Sequence, residues 1–177
     1  MQTITSRIAY ENPWMTVRED EVRWPDGSAG IYGVVEKPDF AVVAPRGDGG
    51  WWMVEQYRYT IGRRAWELPQ GGWAPGRSGP PEELARLELL EETGLTAGRV
   101  EHLGHFYASY GFSRQGFDCW LATGLTQGDP RREATEGDMV HRFVTDDEVW
   151  AMVADGRVVD AHTLVALALY ARHAVTT

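Results

Sequence analysis

The sequence predicts an α+β fold in which helices flank a mixed β-sheet. Three observations lead to this prediction: strand-like segments come first, one helical segment interrupts them near the middle, and two further helices close the chain. The chain has 177 residues, of which 43% are hydrophobic and 24% charged. That composition is typical of a globular protein with a packed core, and the length suits about one main domain.

Residues 1–36 are predicted to form a separate extension built on a β-hairpin. Segments 14–24 and 28–36 alternate between apolar and polar residues, as strands with one buried face do. The sequence Pro25-Asp26-Gly27 supplies the turn between them. The remaining residues, 37–177, are predicted to form the main domain.

The main domain is predicted to contain short strands and three helices. The strands are predicted at residues 41–44, 51–57, 66–68, 100–106, 117–122 and 141–144. The helices are predicted at residues 81–93, 146–154 and 161–173. Pro81 suits the first turn of a helix, Gly94 the position after its end, and Asp160 the N-cap of the last helix.

The charge balance limits the class of ligand. Asp and Glu number 26 against 17 Lys and Arg, so the formal net charge is −9. Nucleic-acid binding by bulk electrostatics needs a basic face, so nucleic acid is not an expected partner. A phosphorylated small molecule remains compatible, provided that metal ions stand between the protein and the phosphates.

Other features favour a protein of the reducing cytoplasm. The single cysteine, Cys119, cannot form an intrachain disulfide. The N-terminal residues do not show the pattern of a secretory signal. The longest strongly apolar stretch, 164–170, is far shorter than the roughly 20 residues of a membrane span, so no membrane association is expected.

The helix predicted at 81–93 carries an unusual acidic strip. At about 100° per residue, Glu88, Glu91 and Glu92 share one arc of roughly 100°, with apolar residues on both flanks. Like charges at this spacing repel, and the C-terminal end of a helix disfavours anions. The strip is either a solvated acidic face or the ligand set of a hard divalent cation.

The residues around this helix resemble the signature of the Nudix hydrolases, G-x5-E-x7-R-E-U-x-E-E-x-G-U, where U is a bulky aliphatic residue. The matching positions are Gly71, Glu88, Leu89, Glu91, Glu92, Gly94 and Leu95. The segments 11–14, 56–58 and 155–163 are similar to the ADP-ribose pyrophosphatase branch of that family, so the resemblance spans most of the chain.

The resemblance implies a Nudix-type α/β/α sandwich and a Mg²⁺-dependent pyrophosphatase, with Mn²⁺ as a possible substitute ion. The expected reaction is hydrolysis of ADP-ribose or a related nucleoside diphosphate sugar to a nucleoside monophosphate and a sugar phosphate. One alternative is a different nucleotide substrate, such as NADH or a dinucleoside polyphosphate. Another alternative is a domain that senses ADP-ribose without hydrolysing it. The branch also implies a homodimer in which the N-terminal hairpin packs across the two-fold axis.

The resemblance also implies roles for individual residues. Expected metal ligands are the backbone carbonyl of Gln70 and the carboxylates of Glu88, Glu91 and Glu92, with Glu91 also counted as catalytic. Expected substrate-binding residues are Arg58, Arg64, Glu67 and Trp14. Arg58 would grip the diphosphate, or form a surface ion pair. Trp14 would stack on a base, or pack at a subunit contact.

The catalytic base is expected outside the signature. A carboxylate bound to metal is a poor base, because the cation favours its ionised form. The branch carries its base on a loop ahead of the last strand, which corresponds here to residues 127–138. Glu136 is the first candidate, and Glu133 and Asp138 remain alternatives.

Three departures from the signature concern the surroundings of the ligands. Arg77 stands where the first glutamate of the signature is expected, and the spacer to the helix is two residues longer. The arginine that precedes Glu88 in the family is replaced by Leu87, with Arg86 one position early. The expected ligands are thus present without one of their supporting side chains, a change that usually tunes activity rather than abolishing it.

Overall fold

The computed structural model describes residues 1–131 and 137–176, and within them the chain forms ten strands and three α-helices. The strands are β1 (Gln2–Asn12), β2 (Met15–Arg23), β3 (Ala29–Glu36), β4 (Phe40–Gly47), β5 (Gly50–Arg58), β6 (Arg63–Glu67), β7 (Gln70–Gly72), β8 (Leu95–Tyr107), β9 (Gly116–Gln127) and β10 (Val140–Thr145). The helices are α1 (Pro81–Thr93), α2 (Asp146–Ala154) and α3 (Ala161–Thr176). A short 3-10 helix, Tyr59–Ile61, joins β5 to β6.

The N-terminal extension is a three-stranded antiparallel sheet in the order β1-β2-β3. The predicted hairpin corresponds to β2 and β3, but the sequence prediction missed β1. Ten of the eleven residues of β1 are exposed, so the strand lacks the apolar alternation that marks a half-buried one. The extension is therefore a sheet with one more strand than the expected hairpin.

The main sheet is mixed, as predicted. Its strands follow the order β10-β5-β4-β9-β8, with β6 paired to β5 and β7 paired to β4. The central pair, β4 and β9, is parallel, and its neighbours are antiparallel. Strand β7 is not among the predicted strands, because its sequence, Gln-Gly-Gly, carries no strand signal.

Helices cover both faces of this sheet, which confirms the α/β/α sandwich. Alternate residues of β4 belong to two different cores, one on each face of the sheet. Val42 and Ala44 belong to the core that packs under α2 and α3, whereas Ala41 and Val43 belong to the core under α1. Successive residues of a strand point to opposite faces, so this one strand is buried on both sides.

The ends of α1 and α3 follow from local sequence signals. Pro81 opens α1, and Gly94 ends it in a left-handed conformation with φ of 74°, as predicted. At the start of α3, the Oδ2 atom of Asp160 accepts hydrogen bonds from the Thr163 amide and hydroxyl, both at 2.8 Å. Asp160 is thus the predicted N-cap.

Hydrogen bonds tie the N-terminal sheet to the main domain at the loop between β8 and β9. The amide of Val35 donates to the Phe112 carbonyl at 2.7 Å, and the Tyr32 hydroxyl donates to the Gly111 carbonyl at 2.6 Å. These contacts fix the end of β3, from which residues 37–38 lead into the wall of the cavity described below.

Among the described residues, no helix combines the length and the apolar character needed to cross a bilayer.

Candidate active site

A cavity of about 850 Å³ lies where the N-terminal sheet, β6, β7 and the start of α3 meet. Its volume falls in the range of small-molecule sites, roughly 300–1,000 Å³. Trp14 stands on its N-terminal side and is 64% exposed. Asp160 and His162 contribute from the beginning of α3.

The alternation of side chains along strand β6 determines which of its basic residues faces the cavity. Arg63, Ala65 and Glu67 line the cavity, as expected for residues two apart on a strand. Arg64 points to the other face, where its guanidinium bonds Glu55 Oε2 at 2.9 Å and Asp138 Oδ2 at 2.6 Å. Of these two adjacent arginines, the structure places Arg63 at the cavity and Arg64 in ion pairs on the other face, so substrate binding by Arg64 stays a prediction.

Arg58 and Glu67 form an ion pair at the cavity wall. Nε of Arg58 donates to Glu67 Oε2 at 3.0 Å, and its Nη2 atom bonds Oε1. The amide of Gln56 donates to the same carboxylate at 2.9 Å. Glu67 is only 2% exposed, and burial raises the pKa of its carboxyl above the usual value although Arg58 acts in the opposite direction.

The ion pair with Glu67 orients the Arg58 guanidinium and leaves part of it accessible. Arg58 keeps 38% of its side chain exposed, on the cavity side, while Glu67 is buried behind it. Burial lowers the pKa of Arg58, but the hydrogen bond and charge of Glu67 outweigh that effect and raise it. Glu67 therefore holds the predicted diphosphate-binding guanidinium in place, and both predicted residues lie in the site.

Asp160 connects the start of α3 to the residues beside the cavity. Besides capping the helix, its Oδ2 accepts a bond from Gln70 Nε2 at 3.0 Å, and its Oδ1 pairs with His162 Nδ1 at 2.9 Å. Burial alone would raise the pKa of Asp160, but His162 and the Thr163 donors lower it to about 2. Asp160 thus remains ionised at neutral pH and fixes Gln70.

Two of the predicted metal ligands lie against Gln70 and Gly71 of strand β7. Glu88 is 6% exposed, and a Cβ atom at position 71 would lie 2.7 Å from its Cδ atom, so glycine is needed for this approach. Glu92 is 1% exposed, and its Oε2 accepts the Gln70 amide at 3.2 Å. Helix α1 therefore brings two carboxylates to the Gln70–Gly71 wall of the cavity.

Glu91 differs from this pair in its exposure. Its side chain is half-buried whereas Glu88 and Glu92 are buried, and none of the three is among the residues that line the cavity in the described chain. Its backbone carbonyl accepts the Arg131 amide at 3.0 Å. Of the expected ligands, the structure thus brings Glu88 and Glu92 to the Gln70–Gly71 segment, and Glu91 follows on the same helix.

The donor set fits a hard divalent cation with an incomplete protein shell. Within residues 1–131 and 137–176, no three His, Cys, Asp or Glu side chains converge closely enough to enclose a metal ion. Mg²⁺ is usually bound by one or two carboxylates together with water and substrate phosphates, and not by a full protein cage. Buried carboxylates beside a cavity match that mode of binding.

Sequence reasoning missed two groups at the cavity. His162 packs edge-on against Phe40 and Phe117, with ring centroids 5.0 and 4.7 Å away. The guanidinium of Arg77 lies over the Trp73 ring, 5.4 Å from its centroid, and both residues line the cavity. His162 could have been found from the sequence, because it lies two residues after Asp160, the predicted N-cap of α3. The sequence of the loop between β7 and α1 carries no signal that would have identified Trp73.

The candidate base, Glu136, and its alternative Glu133 lie outside the described residues. The third candidate, Asp138, is described, and Arg64 binds both its side chain and its backbone carbonyl. Arg86, one position from the family's arginine, pairs with Glu82 and donates to the Ala97 carbonyl. Arg86 is therefore engaged away from Glu88.

Known proteins resemble this chain over nearly its whole length. A family model described as Nucleoside diphosphate sugar hydrolase N-terminal domain matches residues 1–35, and one described as NUDIX domain matches residues 36–167. The ADP-ribose pyrophosphatase of Mycobacterium tuberculosis is 37% identical, over 99% of this chain and 84% of that protein. The ADP-ribose pyrophosphatase of Bacillus subtilis is 31% identical, over 94% of this chain and 90% of that protein.

A solved structure titled "Crystal structure of ADP compounds hydrolase" has the same fold. It superposes with a TM-score of 0.82 and covers 97% of this chain and 92% of the solved chain. The sequence identity is 16%, so this likeness concerns the fold alone.

Proposed function

Because the chain belongs to the Nudix hydrolase family, we propose that it hydrolyses ADP-ribose, or a related nucleoside diphosphate sugar, to a nucleoside monophosphate and a sugar phosphate. The observation that carries this proposal is the position of Glu88 and Glu92, buried against the Gln70–Gly71 wall of a cavity that also holds Arg58. Two full-length relatives named ADP-ribose pyrophosphatase support the choice of substrate.

Glu88 and Glu92, with the Gln70 carbonyl, are proposed to hold the divalent cation, and Glu91 is proposed as a third carboxylate ligand. Mg²⁺ is the proposed ion, with Mn²⁺ as a substitute, because the candidate donors are all oxygen atoms. When bound, such an ion neutralises diphosphate charge and lowers the pKa of the attacking water.

The other residues position the substrate and move the proton. Arg58, oriented by Glu67, donates to the diphosphate oxygens, and Trp14 offers a ring face to the base of the nucleotide. Glu136 is proposed to accept the proton of the attacking water. Asp138 is the weaker candidate, because its carboxylate already accepts a hydrogen bond from Arg64.

The proposal extends to domain organisation, assembly and location. Residues 1–36 form the extension and residues 37–177 the catalytic domain, and two copies associate through the extension. The cytoplasm is the proposed location, since Cys119 is a buried free thiol that the structure does not pair.

A panel of substrates tests the proposed activity. Purified protein with Mg²⁺ is incubated with ADP-ribose, NADH and diadenosine polyphosphates, and the products are separated by chromatography. Formation of AMP and ribose 5-phosphate from ADP-ribose, abolished by EDTA, is the expected result. Faster hydrolysis of NADH or a dinucleoside polyphosphate would move the activity to that substrate.

A second candidate function is a domain that binds ADP-ribose without hydrolysing it. It is favoured by Leu87, which stands in place of the signature arginine. Tight binding of ADP-ribose without turnover would establish it.

A further inference from the structure

Three positively charged side chains line the cavity in addition to Arg58. Lys37 comes from the segment between β3 and β4, Arg63 from the start of β6, and Arg77 from the loop between β7 and α1. None of these three forms an ion pair with any residue in the ranges 1–131 and 137–176. Three separate walls of the cavity therefore each present a cation without a carboxylate partner in those ranges.

This arrangement contrasts with the chain as a whole, in which acidic residues outnumber basic ones 26 to 17. Outside the cavity, arginine side chains commonly form ion pairs with carboxylates. Those with such a pair are Arg7, Arg18, Arg46, Arg64, Arg86, Arg99, Arg142 and Arg157. The cavity's own acids, Glu67 and Asp160, are already held by Arg58 and His162. The three cations thus retain their charge for a ligand.

The three cations outnumber the negative charges of the diphosphate bridge, whose two phosphates carry one charge each. The proposed metal ligands Glu88, Glu91 and Glu92 add three negative charges, so one bound divalent cation leaves no surplus of positive charge and two leave a surplus of two. A surplus positive charge in a cavity favours a ligand with a further negative group.

We propose that the cavity is built for a nucleoside diphosphate that carries a third anionic group, a phosphate monoester or a carboxylate, on one of the two groups that the diphosphate joins. This inference rests on the proposed function and narrows its substrate class. Arg77 is the first candidate to bind that third group, and Lys37 and Arg63 are the alternatives.

Arg77 has the most suitable setting of the three. Its guanidinium lies over the Trp73 ring, and a Cβ atom at Gly79 would lie 2.8 Å from Trp73 Cζ2, so the indole is closely packed from the loop side. Stacking on an aromatic face leaves the edge of a guanidinium free to donate two hydrogen bonds to a phosphate or a carboxylate. Arg77, which stands where the family signature has a glutamate, is therefore suited to bind an anion.

Paired substrates test the proposal. We compare kcat/KM for ADP-ribose with ADP-ribose 2′-phosphate, and for UDP-glucose with UDP-glucuronate, in wild type, Arg77→Gln, Arg63→Gln and Lys37→Gln. The control is Arg99→Gln, which removes an exposed arginine from β8. The same compounds are titrated by calorimetry in EDTA, so that binding is measured without turnover.

We expect wild type to prefer the compound with the extra anion by about tenfold or more in at least one pair, the effect of one charge-assisted hydrogen bond. A preference within the first pair identifies phosphate, and one within the second identifies carboxylate. The preference should shrink severalfold in Arg77→Gln, remain in Arg99→Gln, and weaken at high salt.

Other outcomes overturn the inference. Ratios near one in both pairs, in kinetics or in calorimetry, mean that no third anion is recognised. A strong preference that survives all three cavity variants means that other residues cause it. If no compound is hydrolysed, the proposed function fails, and the binding ratios in EDTA still decide this inference.

Discussion

Gly71 is the residue that allows the Glu88 carboxylate to reach the cavity wall. In Gly71→Ala the new Cβ would overlap that carboxylate, which must then move. We expect the Mg²⁺ concentration for half-maximal activity to rise about 10–100-fold, the usual cost of disturbing the support of a metal ligand. The control is Gly72→Ala, whose Cβ would meet no atom closer than 3.5 Å. Equal Mg²⁺ dependence in the two variants would contradict the arrangement.

Glu92 is predicted to be essential for turnover and dispensable for folding. In Glu92→Gln the amide oxygen can still accept the Gln70 amide, but it is a poor ligand for a hard cation. We expect kcat to fall by more than the roughly 10–100-fold typical of an outer-shell change, with an unchanged or slightly raised melting temperature in EDTA. Glu83→Gln, an exposed position of the same helix, should behave as wild type. Near-normal activity of Glu92→Gln at saturating Mg²⁺ would reject the assignment.

Glu136 is predicted to supply general-base catalysis. Glu136→Gln should lower kcat by about 10²–10⁴-fold with little change in KM, because the residue acts on water and not on the substrate. Glu133→Gln and Asp138→Asn are measured in parallel. A larger loss of kcat in either of them would transfer the role to that residue.

At the scale of elements, one ion pair joins the first turn of α2 to strand β4. Nη1 and Nη2 of Arg46 bond the two carboxylate oxygens of Asp146 at 2.5 and 2.9 Å, and Arg46 also lies over the Trp51 ring. The hydrogen bond from Arg46 is the main cause that lowers the pKa of Asp146 below its usual 3.8. The pair therefore stabilises the fold above pH 3.8, and this contribution is lost as the pH falls through the lowered pKa.

Asp146→Asn tests this pair. Asp146 is 44% exposed, so we expect the free energy of unfolding at pH 7 to fall by only about 0.5–1 kcal/mol. The difference from wild type should vanish at pH values well below 3.8, where both chains lack the charge. Urea denaturation at the two pH values measures it, and Asp147→Asn controls for the loss of an acidic residue from the first turn of the same helix. A difference independent of pH would contradict the mechanism.

The elements with strong local signals were predictable from the sequence, and those without them were not. Helix α1 has a proline at its start, a glycine after its end and a 3.6-residue pattern, and its predicted bounds match the structure. Strand β1 is exposed along nearly its whole length, and β7 has three residues, so neither gives a pattern.

The same contrast holds for the candidate site. The helical period placed Glu88, Glu91 and Glu92 on one face, and the structure shows Glu92 beside Gln70 and Glu88 beside Gly71. The sequence did not reveal whether Arg63 or Arg64 faces the cavity. In β6 the apolar residues Ala65 and Trp66 are also adjacent, so the sequence does not show which face of the strand is buried. Contacts between distant segments, such as Asp160 with Gln70, follow only from the assembled fold.

For the whole molecule we predict a homodimer formed through the N-terminal sheet. This sheet exposes large apolar side chains, among them Ile8 at 60% and Ile31 at 66% exposure, which is unusual for a surface that remains in water. Light scattering at micromolar concentration should report about 40 kDa, twice the 19.9 kDa of one chain. Ile8→Glu should weaken the association, whereas Val159→Glu, at an exposed apolar position before α3, should not. A mass near 20 kDa for wild type would exclude the dimer.

The parallel pairing of β4 with β9 has a consequence for how the chain acquires its structure. Phe40 pairs with Phe117, and Pro45 with Ala122, so the centre of the sheet joins segments far apart in the sequence. The N-terminal sheet, by contrast, pairs neighbours in the order of the chain. During synthesis the strands of the extension can pair as soon as they leave the ribosome, whereas β4 must wait for β9. The cavity, which also needs Asp160 and His162 at the start of α3, can be completed only after both.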